Sequence, residues 1–208
     1  ILGVVLLVKM NDILPVLQEL AGSETSGFMA VMLCAALCLV GTMNDMASSS
    51  VSLEGKTLWL AQSLPVTTWQ VLRAKLLVQM LVTGVPMAVT SVLAILALRP
   101  ALPEAVLLVV LPLLFVWLSA EFCLTMDLKR PNVVWTNEIT VIKQRLTVLL
   151  AMLGGWLYAV AVAALYLLVG ADMDAAWYLL AWSVLTAVLA VLLRGWLRRG
   201  GCRAFEAL

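Results

Sequence analysis

The chain has 208 residues, 64% hydrophobic and 12% charged, with a formal net charge of +1 and a mean hydropathy of +1.08. That leaves too little polar surface to cover a soluble globule, so the composition defines an integral membrane protein with no mark of a nucleic-acid partner. Histidine is absent, which removes the commonest metal ligand and the commonest general base at neutral pH and weighs against hydrolytic and metal chemistry.

In chain order, Ile1 to Val8 is apolar and follows neither an initiator Met nor a basic leader, so it reads as the end of a truncated membrane helix and not as a signal peptide. Crossing a bilayer takes about 20 apolar residues, with a range of about 17 to 25. Five further stretches meet that test: roughly Gly27 to Met43, Lys75 to Leu98, Val106 to Met126, Leu146 to Gly170 and Ala175 to Leu193. The expected fold is an all-α polytopic bundle of about six spans, the first truncated, forming one transmembrane domain over residues 1–208. Pro86 is expected to kink the third span, and Pro112 the fourth.

Charge fixes the orientation. Lys56, Arg73 and Lys75 follow the second span, Lys129, Arg130, Lys143 and Arg145 follow the fourth, and Arg194, Arg198, Arg199 and Arg203 close the chain. These connections face the cytoplasm by the positive-inside rule, whereas those holding Asp12, Glu19 and Glu24, then Arg99 with Glu104, then Asp172 and Asp174 are acidic or balanced. Trp177, Tyr178 and Trp196 stand where aromatic belts form at the two membrane surfaces.

The stretch from Ser48 to Lys75 is too polar to span and too patterned for a slack loop. Ser52 is placed to cap a short helix with Glu54 in its first turn, Pro65 ends that helix, and Thr67 with Gln70 has the spacing of a capping box that opens the next. Two readings of this stretch stand side by side. It is an interfacial helix dipping Trp59, Leu60 and Leu64 among lipid headgroups, or it offers Glu54, Gly55 and Lys56 to a protein partner. Gly55-Lys56-Thr57 is not a phosphate loop, because that motif needs a glycine where Ser50 stands.

Between the fourth and fifth spans Pro131 stops the incoming helix, and Thr136 with Glu138 offers the next start. Glu121 lies well inside a span, where a carboxylate is by default a candidate proton or substrate site. The structural alternative is that, lying about a turn and a half from Asp127 at the cytoplasmic end, it snorkels to that end or pairs with Lys129 or Arg130. Cys34 and Cys38 share a helix face and, with Cys123 and Cys202, indicate neither a disulfide nor a metal site. Gly154 and Gly155 have the small size that lets helices approach closely.

Leu53-Glu54-Gly55-Lys56, Trp59, Ser63-Leu64-Pro65-Val66 and Ala74-Lys75 resemble the cytoplasmic coupling segment of type-2 ABC exporter permeases, in particular a group of large bacterial ones. Pro131, Trp135, Asn137, Glu138, Lys143 and Gln144 are similar to that group's second cytoplasmic connection, and the ending Gly201 to Leu208 to its C-terminus. The resemblance implies the C-terminal half of a longer permease in a bacterial inner membrane. It further implies that residues 48–75 couple to a separate ATP-binding subunit that holds ATP and Mg, that Pro131, Trp135, Asn137 and Glu138 form a second contact, and that another half or copy pairs with this one among the membrane lipids. The chain itself then binds no cofactor and is no enzyme. Two other classes stay open: a membrane-embedded enzyme using Glu121 with Asp127, and a structural or assembly protein of the membrane.

Overall fold

A computed structural model describes residues 25–63, 65–132, 146–168 and 173–208. Ile1 to Val8, Leu64, Trp135, Asn137, Glu138 and the side chain of Lys56 lie outside the described residues. Among the described residues, five helices are long and apolar enough to cross a membrane. In chain order the helices are α1 (Thr25–Gly41), α2 (Leu58–Ser63), α3 (Thr68–Leu98), α4 (Leu102–Lys129), α5 (Leu146–Leu168), α6 (Ala175–Trp196) and α7 (Cys202–Glu206). Two 3₁₀ segments, Met46–Ser49 and Ser52–Thr57, join α1 to α2, and a π turn over Leu197–Gly201 joins α6 to α7.

The spans form because each is a long apolar run whose backbone bonds close within the helix, the requirement lipid imposes. α4 is the centre of the bundle and packs against α1, α3, α5 and α6. Leu107, Leu108, Leu111, Phe115, Val116, Ala120 and Leu124 of α4 are all buried. α1 is apolar on every side, the pattern of a helix enclosed by neighbours, and Ala30, Val31, Cys34, Leu37 and Cys38 are buried. α3, α5 and α6 leave rows such as Val78, Val82, Val85 and Val89, or Val184, Val188 and Val191, exposed as lipid-facing surface.

Between apolar helices in lipid, close packing has to replace the missing hydrophobic drive. At Gly155 a methyl group would collide with Thr42, so glycine there lets α5 lie against the end of α1. α3 runs unbroken through Pro86, and α4 through Pro112. At one end of the bundle α3 turns into α4 in three residues, with Arg99 as a left-handed cap (φ 49°) whose N–H bonds Ile95 O at 2.9 Å. That end also holds an aromatic cluster, with Phe28, Tyr166 and Tyr178 in ring contact and the Tyr178 hydroxyl donating to Val162 O at 2.7 Å, beside the buried Glu104 and beside Asp174, which accepts from Ala176 N at 3.2 Å. Tyr178 is therefore buried, not part of a surface belt, while its neighbour Trp177 is exposed.

Candidate functional site

The opposite end, which carries the basic residues, holds the polar chemistry. Asp127, in the last turn of α4, is fully buried. Its Oδ2 accepts from Val51 N at 2.8 Å and Ser52 N at 3.1 Å, and its Oδ1 accepts from Ser52 Oγ at 2.5 Å. A carboxylate so placed satisfies the free N–H groups opening the 3₁₀ segment, as an acid does at any helix start. Ser52 Oγ in turn accepts from Asn132 N at 3.1 Å, just beyond α4. Ser52 is thus not the helix cap that the sequence suggests. Asp127 supplies that function from another helix, and Ser52 is turned to meet it.

A second anchor comes from α3. Lys75 Nζ donates to Ser50 O at 2.9 Å and pairs with Glu54 Oε1 at 2.5 Å. One turn on, Gln79 accepts from Ala47 N at 2.7 Å and donates to Asn44 O at 3.2 Å; a further turn on, Thr83 accepts from Asn44 Nδ2 at 2.7 Å. The segment from Asn44 to Glu54 is therefore held to two spans by side chains reaching out of the bundle. A cleft of about 410 Å³ lies beside it, lined by Thr42, Asn44, Asp45, Ser49 and Leu53 with Val148 and Met152 of α5.

This geometry redistributes the residues singled out in the sequence. Glu54 points inward to Lys75 and is not presented at an exposed helix start. Gly55 is buried and takes φ 44° and ψ −119°, a backbone that side-chain-bearing residues rarely adopt, and this kinks the 3₁₀ segment within itself, just before α2. Thr57 Oγ1 is bound to Glu54 O at 2.7 Å. Beyond the break, α2 buries Leu58 and leaves Trp59 66% and Leu60 54% exposed. Pro65 and Val66 are exposed after it, and Gln70 closes the capping box by accepting from Thr67 N at 2.9 Å. Of the residues named for the second contact only Pro131 is described, as a break after Arg130.

Glu121 neither snorkels nor pairs with Lys129 or Arg130. It is fully buried, with Oε1 accepting from Trp117 Nε1 at 2.6 Å and Oε2 without a hydrogen-bond partner. The opposing charge acting on it comes from Arg194 of α6. Arg194 lies over the Trp117 ring at 5.3 Å and the Trp69 ring at 6.0 Å, Arg198 lies over Trp69 at 5.2 Å, and Lys129 instead covers Trp196 at 5.1 Å. Glu121 and Asp127 thus have different partners and form no shared pair. Cys34, Cys38, Cys123 and Cys202 are free thiols, and Cys123 donates to Asp45 Oδ1 at 3.5 Å.

Sequence reasoning gave no role to Gln79, Thr83, Trp69 and Trp117, gave Arg194 only a topological one, and used Lys75 for topology and for the exporter-like motif Ala74-Lys75. A signal was there: Lys75, Gln79 and Thr83 stand at i, i+4 and i+8, one polar stripe on one helix face, and Trp117 with Glu121 repeats the spacing.

Fold and site together define a polytopic helical membrane protein whose one polar end is organised around a tethered amphipathic segment. Over residues 2–194 the chain matches a family described as a membrane protein of 12 TMs, and it belongs to that family. Searches of the curated proteins and of the solved structures return no match. The family match overturns the resemblance to type-2 ABC exporter permeases, since a different family is indicated. The resemblance rested on short motifs, and one of them, Leu53 to Lys56, answers to a local need: an acid for Lys75 and a glycine for a left-handed break.

Proposed function

We propose that this chain is the membrane-spanning component of a transporter, not an enzyme in its own right, and that it is driven through the segment 48–75. A separate cytoplasmic subunit that hydrolyses ATP, and holds the nucleotide and its Mg²⁺, is the partner proposed to seat on α2. In this reading the membrane is a cell's inner, or plasma, membrane. A second set of spans completes the conduit, which accords with a family described by twelve spans.

The observation carrying this reading is the contrast within the segment. Its first part, up to Glu54, is fixed to α4 by Asp127 and to α3 by Lys75 and Gln79, while Trp59, Leu60 and Val66, beyond the kink at Gly55, are exposed. A helix attached this way passes a push on its outer face directly to two spans, the requirement for a rigid-body switch. A subunit can bias such a switch only by binding its two states differently, so the docking face needs a stiff connection.

The test is co-purification from native membranes in mild detergent, wild type beside Trp59→Glu, with the bound proteins identified by mass spectrometry. An ATPase retained by wild type and lost from the variant supports the reading. If cross-linking before extraction recovers no ATPase with either form, the reading is wrong.

A further inference from the structure

We infer that the arginine–tryptophan cluster where the end of α6 faces α3 at the basic end is a binding site for the phosphate headgroup of an anionic phospholipid, with Arg194 and Arg198 as its ligands. This does not depend on the transport reading. α3 and α6 scarcely touch each other, and Trp69, from the first turn of α3, reaches across the gap under both guanidinium groups. Trp117 forms a second aromatic face under Arg194, with its indole N–H fixed on Glu121. Each guanidinium offers five N–H donors in a planar fork suited to phosphate, and stacking on an indole leaves the edge of that fork free. Neither Arg194 nor Arg198 has a hydrogen-bond or ion-pair partner among the described residues, where the one ion pair is Glu54 with Lys75.

The surroundings select a lipid over a soluble anion. Val184, Val188, Val191 and Arg194 follow one another at helical spacing on one face of α6, which passes from exposed valines to Arg194, and Arg198 follows in the π turn just beyond. An acyl chain laid along the valines brings its phosphate to the arginines at the depth where a basic helix end meets the headgroups. The acids nearby do not cancel the site. Glu121 is buried with its Oε1 accepting from Trp117 Nε1 at 2.6 Å, and Glu206 accepts from Thr68 Oγ1 at 2.6 Å.

The test is native mass spectrometry of the full chain in detergent, titrated with dioleoyl-phosphatidylglycerol and, separately, with dioleoyl-phosphatidylcholine. The anionic lipid is expected to bind more tightly. At about fivefold per arginine, the Arg194→Gln/Arg198→Gln variant should weaken it by about 25-fold and Arg198→Gln alone by about fivefold, whereas Arg130→Gln, which removes one charge elsewhere at that end, should cost much less than Arg198→Gln. If the double variant fails to fold by circular dichroism, Arg198→Gln alone, at an exposed position, should show the single fivefold loss. Equal binding of the two lipids, loss with Arg130→Gln equal to that with Arg198→Gln, no loss with Arg198→Gln, or displacement of the lipid by inorganic phosphate alone would each overturn the inference.

Discussion

The two ends of the bundle are closed by different chemistry. At the end bearing Arg99 and Asp174 the turn between α3 and α4 is three residues, and closure is aromatic, with Tyr166 and Tyr178 in edge contact and the Tyr178 hydroxyl tied to backbone on the neighbouring helix. At the basic end a long connection is held by a buried carboxylate, a lysine and a glutamine, each reaching backbone groups in a distant part of the chain. The aromatic end joins helix to helix. The basic end joins a segment to helices, and a segment held by a few strong points is the one that can be released or pushed as a unit.

The most severe way to break this contrast is Asp127→Ala. It leaves Val51 N–H, Ser52 N–H and Ser52 Oγ without their common acceptor, and hydrogen bonds to a charged group contribute about 1.5–3 kcal/mol each. A loss of about 3 kcal/mol or more is expected in thermal unfolding, with faster amide exchange at Val51 and Ser52, while Asp127→Asn, which keeps one acceptor oxygen, should lose less than half of that. Wild-type melting of the alanine variant would remove Asp127 as the main anchor.

Next in size is Lys75→Met. The pair it breaks is partly solvated, with side-chain exposures of 13% and 27%, so screening limits the loss to about 1–2 kcal/mol even with the added bond to Ser50 O. Removing the stranded acid as well, in Lys75→Met/Glu54→Gln, should recover part of it, because an unpaired half-buried carboxylate costs more than a neutral amide. If the double variant is no more stable than the single one, Glu54 is not held by Lys75 in the way the geometry indicates.

Five spans and the capping box at Thr67 and Gln70 were legible because each depends on local pattern alone: an apolar run of bilayer length, or two side chains three residues apart. What the sequence concealed was long-range pairing. Asp127 was visible as an acid at a helix end, yet nothing local says that it caps a segment 75 residues earlier in the chain. Glu54 looked available to a partner because its acceptor site and Lys75 are separated by an entire helix and a break. Tyr178 looked interfacial because the sequence places it beside Trp177, and only the rotation of α6 turns one inward and the other out. The family resemblance misled for a related reason. Short polar motifs at a membrane surface record what a tethered helix needs, and proteins of different families share that need.

The smaller effects belong to the aromatic end. Tyr178→Phe keeps the ring contacts and removes one buried hydroxyl bond, for an expected loss of about 1 kcal/mol, read as a lower melting temperature in the same detergent; no change would mean that stacking alone closes this end. Arg99→Gly should act in the opposite direction. Arg99 holds a left-handed conformation that costs a residue with a side chain about 1–2 kcal/mol, and glycine relieves that cost while giving back about 0.5–1 kcal/mol in unfolded-chain freedom. The net expectation is a gain near 0.5 kcal/mol, with Ile95 O still capped by the backbone N–H of residue 99, which does not depend on the side chain. Destabilisation of similar size would mean that the arginine side chain itself contributes at this surface, so that the aromatic end too has a charged anchor and the contrast with the basic end is one of degree.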